Sequence, residues 1–327
     1  MKLLVIGDEK RFNKYLPDLD IVSRVETVVA PRGATDDEII AMTGDADFIV
    51  ADAISPVSAH LMDAFPSLKL VHSEGVAYNA IDVAAAREHG IVVCNNAGAN
   101  AGAVAEQAVL LMLACLRHLR EGDTAVRTGR QIKVKERLMV EGIRELGDCK
   151  VGLVGMGAIA QQTAVRLHAF GCDVAYWNHR RRPTDFEEKF DVRYLPLDEL
   201  ARTCDIVSIH VPVTPETENM VDADFLASMK SDAILINTAR GEIVDQVALA
   251  RALEEGIISG AGLDTLSPEP VQLDHPLAQL EGDAADRLVL SPHIGGVTEG
   301  MFRRAWTTIW KNIAYVAEGD QPINVVS

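Results

Sequence analysis

Three segments in the C-terminal half carry side chains that could act together on a small organic acid. They are Arg240 in Ile236-Asn237-Thr238-Ala239-Arg240-Gly241, Glu269 in Ser267-Pro268-Glu269-Pro270, and His293 in Ser291-Pro292-His293. A guanidinium can hold a carboxylate through two parallel hydrogen bonds, and an imidazole can exchange a proton near neutral pH. A carboxylate can orient that imidazole and stabilise its charged form. Upstream, the run Val151-Gly152-Leu153-Val154-Gly155-Met156-Gly157-Ala158-Ile159-Ala160 reads as strand, glycine turn and helix. There Gly155 permits a tight turn, Gly157 lets the backbone approach a pyrophosphate, and small Ala160 lets the helix pack close on its strand. The free N–H groups and dipole of the helix N-terminus then favour the phosphates.

These residues need a frame. Short apolar runs over 3–6, 46–50, 68–71 and 91–94 are expected strands, with helices over 58–65 and 81–89 between them, a parallel β/α winding. A nearly all-apolar helix follows over 103–119, too hydrophobic to turn any side to water, and is expected to pack between domains or subunits. The charge-mixed segment 120–145 shows no readable element. Strands over 151–154, 173–177, 206–209, 233–236, 259–263 and 288–290 then fit a second doubly wound sheet of about six strands. A last helix over 298–318 carries Trp306 and Trp310 one turn apart, so one of its faces is buried, most simply against the first domain. Arg240, Glu269 and His293 all fall at or just beyond strand ends of the second series. In a doubly wound sheet, that is where ligands bind.

Composition narrows the class. A chain of 327 residues is long for one core and suggests two domains. Its net charge of −17 argues against nucleic acid and against an anionic membrane as partners, without forbidding a small anionic substrate in a locally basic pocket. Cys94, Cys115, Cys149, Cys172 and Cys204 form no C-x-x-C pair, and several are flanked by apolar strand residues, which suits reduced thiols and a cytoplasmic location. The histidines lack metal-ligand spacing, so no metal is assigned.

The motifs resemble the D-isomer-specific 2-hydroxyacid dehydrogenase family over almost the whole chain. The matching pieces are Leu68-Lys69-Leu70, Gly75 to Asp82, Gly90-Ile91-Val92-Val93, Val104-Ala105-Glu106, the glycine turn, His210 to Thr217, Asn237 to Val244 and the final Ser-Pro-His. The resemblance implies an α/β protein of two Rossmann-like or flavodoxin-like domains with doubly wound parallel sheets. The nicotinamide-binding domain (102–294) would be inserted into a discontinuous substrate domain (1–101 and 295–327), with a 2-oxo acid bound in the cleft between them. Arg240 would grip the substrate carboxylate and polarise the keto oxygen, His293 would donate its proton to that oxygen, and Glu269 would pair with His293. Backbone N–H groups of Gly75, Val76 and Ala77 would complete the carboxylate site; Ala77 stands where the family often has a second glycine. The cofactor would lie along Gly155, Met156, Gly157, Ala158 and Ile159. Val211, Pro212, Thr217, Thr238, Ala239, His293 and Gly295 would also touch it, and Asp264 would help orient the nicotinamide carboxamide. Formate-oxidising relatives carry a glutamine where Glu269 stands, so formate is disfavoured.

NAD-preferring domains place an acid at the end of the second strand, on the ribose 2′-OH. Here that strand ends in Asn178, followed by His179, Arg180, Arg181 and Arg182. No carboxylate repels a 2′-phosphate there and up to three guanidiniums could pair with one, which favours NADP(H) and leaves NAD(H) possible. The expected activity is NADP(H)-dependent reduction of a small 2-oxo acid such as glyoxylate or hydroxypyruvate by a homodimer. The alternatives are an NAD-dependent glycerate or phosphoglycerate type of dehydrogenase, or a non-enzymatic, dinucleotide-sensing corepressor-like scaffold. An acid at Glu74, if it faced the substrate, would disfavour phosphorylated or dicarboxylic acids.

Overall fold

The computed structural model of the chain describes residues 1–326. Ser327, the last residue of the expected substrate domain, lies outside the described residues. The chain forms two compact units: one of Met1–Asn100 together with the described residues from Val297 on, and one of Ala101–Gly296. In chain order, the second unit is therefore inserted into the first.

The first unit is built on a fully parallel sheet of β1 (Lys2–Gly7), β2 (Glu26–Pro31), β3 (Phe48–Ala51), β4 (Leu70–Ser73) and β5 (Val92–Cys94), in the order β2-β1-β3-β4-β5. β1, β3 and β4 are buried almost throughout because both faces are covered, and so they read in sequence as continuous apolar runs. On one face Ile39, Leu61, Met62 and Ala86 close the core; on the other, Phe12, Ile21, Trp306, Ile309, Trp310 and Ile313 do. The helix Glu299–Glu318 supplies the last four of these, so its tryptophan face is buried against the first sheet, as its spacing requires. β2 escaped the sequence reading: it is an edge strand with one buried residue, Ala30, and no apolar run as strong as its neighbours'.

The second unit carries seven parallel strands: β6 (Lys150–Val154), β7 (Asp173–Trp177), β8 (Arg193–Tyr194), β9 (Ile206–Ile209), β10 (Ile234–Asn237), β11 (Gly260–Leu263) and β12 (Leu288–Leu290). Their order is β12-β11-β10-β9-β6-β7-β8, one strand more than expected, because the two-residue edge strand β8 is too short to leave a pattern. The chain winds outward from β6 to β8, returns to β9 on the other side of β6, and continues to β12. The topological switch point is therefore at the ends of β6 and β9, the two strands that bracket the glycine turn.

The apolar helix runs over Ala101–Leu116, not 103–119. It lies within its own unit, against the helix Ala158–Phe170 and strands β10 to β12. It also has an exposed side, where Leu110 is 52% accessible. It stops because His118 adopts a left-handed conformation (φ 47°), and the next helix, Leu119–Arg127, departs at 58°. Among the described residues no single helix is long and apolar enough to cross a membrane. Segment 120–145 holds most of that helix and a second, Gln131–Glu141; each buries a single side chain, Ala125 or Val134, too few to print a stripe.

A buried polar chain fastens the end of the first unit. His72, fully buried on β4, bonds Ser73 O through Nδ1 (2.8 Å) and meets the Asn312 amide at Nε2 (3.1 Å). The other bonds of Asn312 go to the main chain of Ile323 (2.9 Å each), and Val325 bridges to Cys94 on β5. Burial pushes the His72 imidazole down to about 4 from 6.5. An unfolded chain takes up a proton below pH 6.5 that the folded one refuses until about pH 4. Stability present above pH 6.5 is therefore lost as pH falls through this window, by on the order of 3 kcal/mol. Thermal unfolding followed between pH 7 and pH 4 should show this slope, and His72→Gln should flatten it; an unchanged slope in the variant would contradict the assignment.

Candidate active site

Arg240, Glu269 and His293 follow β10, β11 and β12, which are adjacent in the sheet, so their loops are neighbours. Buried Asn237 shapes the first loop: its Oδ1 accepts from Ala239 N (2.9 Å) and its Nδ2 donates to Arg240 O (2.8 Å). The Arg240 side chain is exposed, bonds the Ala239 carbonyl (2.7 Å) and has no carboxylate partner among the described residues. Gly241 is indispensable to the packing of this loop on the next, because a Cβ there would lie 2.1 Å from the carbonyl carbon of Leu266. In that second loop Gln246 clamps Ser267 by bonding both its O (2.9 Å) and its N (3.2 Å). Glu269 then meets His293: its Oε2 and Oε1 lie 2.8 and 3.0 Å from the imidazole Nδ1. Both side chains are nearly half exposed, so Nε2 of His293 is left for a ligand.

Asp264, which the family resemblance sets beside the nicotinamide carboxamide, follows the end of β11. Its carboxylate is almost wholly buried and fully engaged inside the protein. Oδ1 accepts from Ser291 Oγ (2.5 Å) and Ile294 N (3.0 Å), and Oδ2 accepts from Gly295 N (2.8 Å). The Asp264 carbonyl also accepts the His293 N–H (2.8 Å). These bonds hold His293 at φ 54°, a left-handed conformation that a residue with a Cβ adopts at a cost of about 1–2 kcal/mol. Sequence reasoning missed two members of this network, Ser291 and Gln107, whose Nε2 donates to Ser291 Oγ (2.8 Å). The signal was present: Gln107 and its neighbour Glu106 are the two polar side chains of an otherwise apolar helix, and Gln107 is the uncharged one.

The glycine turn has the geometry its sequence demands. Gly155 sits at φ 100°, and a Cβ there would lie 2.7 Å from His210 O and 2.9 Å from the Val211 side chain, so the turn and the end of β9 touch through bare backbone. Gly157 has open space where its Cβ would be, and it starts the helix Ala158–Phe170 with no side-chain cap. The first N–H groups of that helix therefore have no partner among the described residues. Thr217 braces the facing loop by donating to Pro212 O (2.7 Å) and accepting from Thr214 N (2.8 Å). Thr238, past the end of β10, buries a hydroxyl with no partner among the described residues. An uncapped helix, a bare glycine and an unpaired hydroxyl fit a dinucleotide.

A profile of the family described as D-isomer specific 2-hydroxyacid dehydrogenase, NAD binding domain, matches residues 109–295. The chain belongs to this family. It is 37% identical to a glyoxylate reductase of Korarchaeum cryptofilum, covering 88% of this chain and 85% of that one. It is 33% identical to a hydroxypyruvate reductase of Thermotoga maritima, covering 86% and 89%. Among solved structures, the NAD-complexed D-isomer specific 2-hydroxyacid dehydrogenase of Lactobacillus delbrueckii ssp. bulgaricus matches with a TM-score of 0.84 and 26% identity over the full length of both chains. The fold is thus the two-unit, parallel-sheet architecture of these dehydrogenases, and this chain is an NAD(P)-dependent oxidoreductase of 2-hydroxy and 2-oxo acids.

In this dehydrogenase the basic run after β7 supplies fewer free cations than its sequence suggests. Arg181 forms a two-pronged pair with Glu187 (2.8 Å each) and lies over Tyr194. Tyr176 completes the cluster, donating to Glu187 (2.7 Å) and accepting from Arg182 N (2.9 Å); burial and the adjacent carboxylate push its hydroxyl up to about 12. Arg182 folds back over Phe186 and reaches Met156 O (3.4 Å). Arg180 and His179 remain exposed, with no ion-pair partner among the described residues. Asn178 spans the turn, accepting from Met156 N (3.4 Å) and donating to Arg180 O (2.9 Å).

In the first unit the loop after β4 is tied by its carbonyls. Asn95 donates to Val76 O (2.7 Å), Asn96 to Glu74 O (2.9 Å), and Ser73 Oγ to Ala77 O (2.6 Å). The Gly75 N–H is taken by Ser73 Oγ (3.2 Å), whereas Val76 and Ala77 have no N–H acceptor among the described residues. Glu74 does not present its charge at this surface. It is buried, with Arg11 on both oxygens (2.9 and 2.5 Å) and Trp306 Nε1 on one (3.0 Å).

The two turn glycines should separate stability from binding. Gly155→Ala should lower unfolding free energy by about 2 kcal/mol or more, because it adds both a clash and a left-handed penalty, and should abolish dinucleotide binding. Gly157→Ala should cost no more than about 1 kcal/mol yet weaken binding by tenfold or more. Chemical denaturation and fluorescence titration with the dinucleotide measure the two effects; normal binding in both variants would refute this placement of the phosphates.

Proposed function

We propose that this dehydrogenase reduces a small 2-oxo acid of the glyoxylate or hydroxypyruvate kind to the D-2-hydroxy acid, using NADP(H), with His293 as proton donor. The observation that carries this reading is the Glu269–His293 pair on a loop next to an arginine with no carboxylate partner. Arg240 binds the substrate carboxylate. Glu269 holds Nδ1, so the proton leaves from Nε2 toward the substrate oxygen, and the carboxylate stabilises the imidazolium before transfer. A nicotinamide bound there would supply the hydride for the carbonyl carbon. The N–H groups at Gly157, Ala158 and Ile159 would hold its phosphates, and Thr238, Ala239 and Gly295 its nicotinamide side. The names of the Korarchaeum and Thermotoga relatives support the substrate class.

The NADP(H) preference is supported by Asn178, which removes the acid that would repel a 2′-phosphate, and by the unpaired Arg180 and His179. Arg181 is withdrawn from this role by Glu187. A homodimer is favoured by the exposed apolar side chains Val126, Ile132, Met139 and Val140 on the helices Leu119–Arg127 and Gln131–Glu141. A cytoplasmic setting agrees with five free cysteines, four of them buried.

A steady-state assay at 340 nm across 2-oxo acids, with NADPH and NADH compared, tests the assignment. Turnover should be fastest with one small acid and NADPH. His293→Ala should lower it by 10³-fold or more, on the order expected for loss of a general acid, while dinucleotide binding persists. Arg180→Ala should raise the Michaelis constant for NADPH about tenfold and leave that for NADH nearly unchanged. Equal effects on the two cofactors would sink the NADP assignment, and no turnover on any acid would sink the enzymatic reading.

A further inference from the structure

We propose that Gln107, on the helix Ala101–Leu116, is a positioning residue for His293, acting through Ser291 and Asp264. The inference rests on the reading of His293 as proton donor. Ser291 Oγ has one proton, and two groups address that oxygen: Asp264 Oδ1 at 2.5 Å and Gln107 Nε2 at 2.8 Å. The ionised carboxylate can only accept, so the serine proton belongs to it, and the oxygen lone pair facing Gln107 needs a donor. The amide NH2 is that donor; with its oxygen turned inward, two acceptors would compete for one proton. Gln107 therefore fixes the rotor of Ser291, and Ser291 becomes the third donor to Asp264.

Asp264 passes this on. Its carboxylate accepts from residues on both sides of His293, Ser291 before it and Ile294 and Gly295 after it, while its carbonyl accepts from His293 itself. Its own N–H donates to Asn237 O (2.9 Å), the residue whose side chain shapes the Arg240 loop. A buried carboxylate that loses one of its donors pulls harder on the others or moves, and either change displaces a histidine held in a left-handed conformation. Packing leaves no slack at this junction. A Cβ on Gly295 would lie 2.8 Å from Asp264 Oδ2 and 3.2 Å from both Cβ and Cγ of Gln107. Gln107 thus meets the His293 loop by contact as well as by its hydrogen bond, and the test must keep its volume.

The variants are Gln107→Met, which keeps length and removes the donor, Ser291→Ala, and the two combined, each in the full chain with its thermal midpoint checked. With the best 2-oxo acid and NADPH, Gln107→Met should lower kcat about tenfold while both Michaelis constants stay within about twofold. Ser291→Ala should lose a similar amount, and the double variant should be no worse than about twofold below the weaker single, since the two residues act in series. Hydrogen exchange of residues 291–295, read without cofactor or substrate, should accelerate about tenfold in Gln107→Met. A kcat within twofold of the parent, losses that multiply in the double variant, or unchanged exchange would overturn the proposal. If the parent turned over no 2-oxo acid, the functional reading would fall by itself, and the exchange rates would still decide whether Gln107 holds the loop.

Discussion

The buried carboxylate of Asp264 is the constraint around which the candidate site is arranged. An ionised group taken out of water forfeits several kcal/mol of solvation and is tolerated only where fixed donors replace its hydration shell. Here the replacement comes from one hydroxyl and two main-chain N–H groups, all on the segment after β12. The demand of one charge thereby dictates the backbone path of five consecutive residues. Because Asp264 also pairs through its main chain with Asn237, the ends of β10, β11 and β12 behave as one welded piece. The exposed Arg240 and the half-exposed Glu269 and His293 stand on a support far more rigid than their own exposure suggests.

A second regularity concerns how an acidic molecule could receive anions. With a net charge of −17 the chain repels them at long range. The candidate anion sites answer with main-chain dipoles: the uncapped N-terminus of the helix Ala158–Phe170, and the N–H groups of Val76 and Ala77, which have no acceptor among the described residues. Several nearby cations are already spoken for by carboxylates, Arg11 by Glu74 and Arg181 by Glu187. Recognition by oriented N–H groups is short in range and depends on shape, so it discriminates geometry more than charge.

Much of this was legible in the sequence, and the omissions have physical causes. The central strands declared themselves because burial on both faces leaves uninterrupted Val, Ile and Leu; the edges β2 and β8 did not, having one face or hardly any length to bury. Gly155, Glu269 and His293 could be found because their chemistry depends on residue type. Asp264 was noticed for its type, but its bonds to Ser291, Ile294 and Gly295 were not foreseen, since a sequence does not say which way a carboxylate points. Arg181 shows the same limit: its guanidinium is consumed by Glu187, six positions on, through a hydrogen-bonded cluster that also needs Tyr176. The apolar helix was recognised, but hydrophobicity alone could not tell a neighbour within the unit from one outside it.

The discontinuity of the first unit bears on how the chain is made. Its sheet is complete by Cys94, but one face of that sheet lacks Trp306, Ile309, Trp310 and Ile313, which the ribosome delivers some two hundred residues later. The second unit, contiguous from Ala101 to Gly296, has every strand in hand before that helix emerges. Vectorial synthesis therefore imposes an order: the inserted unit can mature first, while the earlier sheet waits with an apolar face uncovered, the interval in which a nascent chain most needs a chaperone.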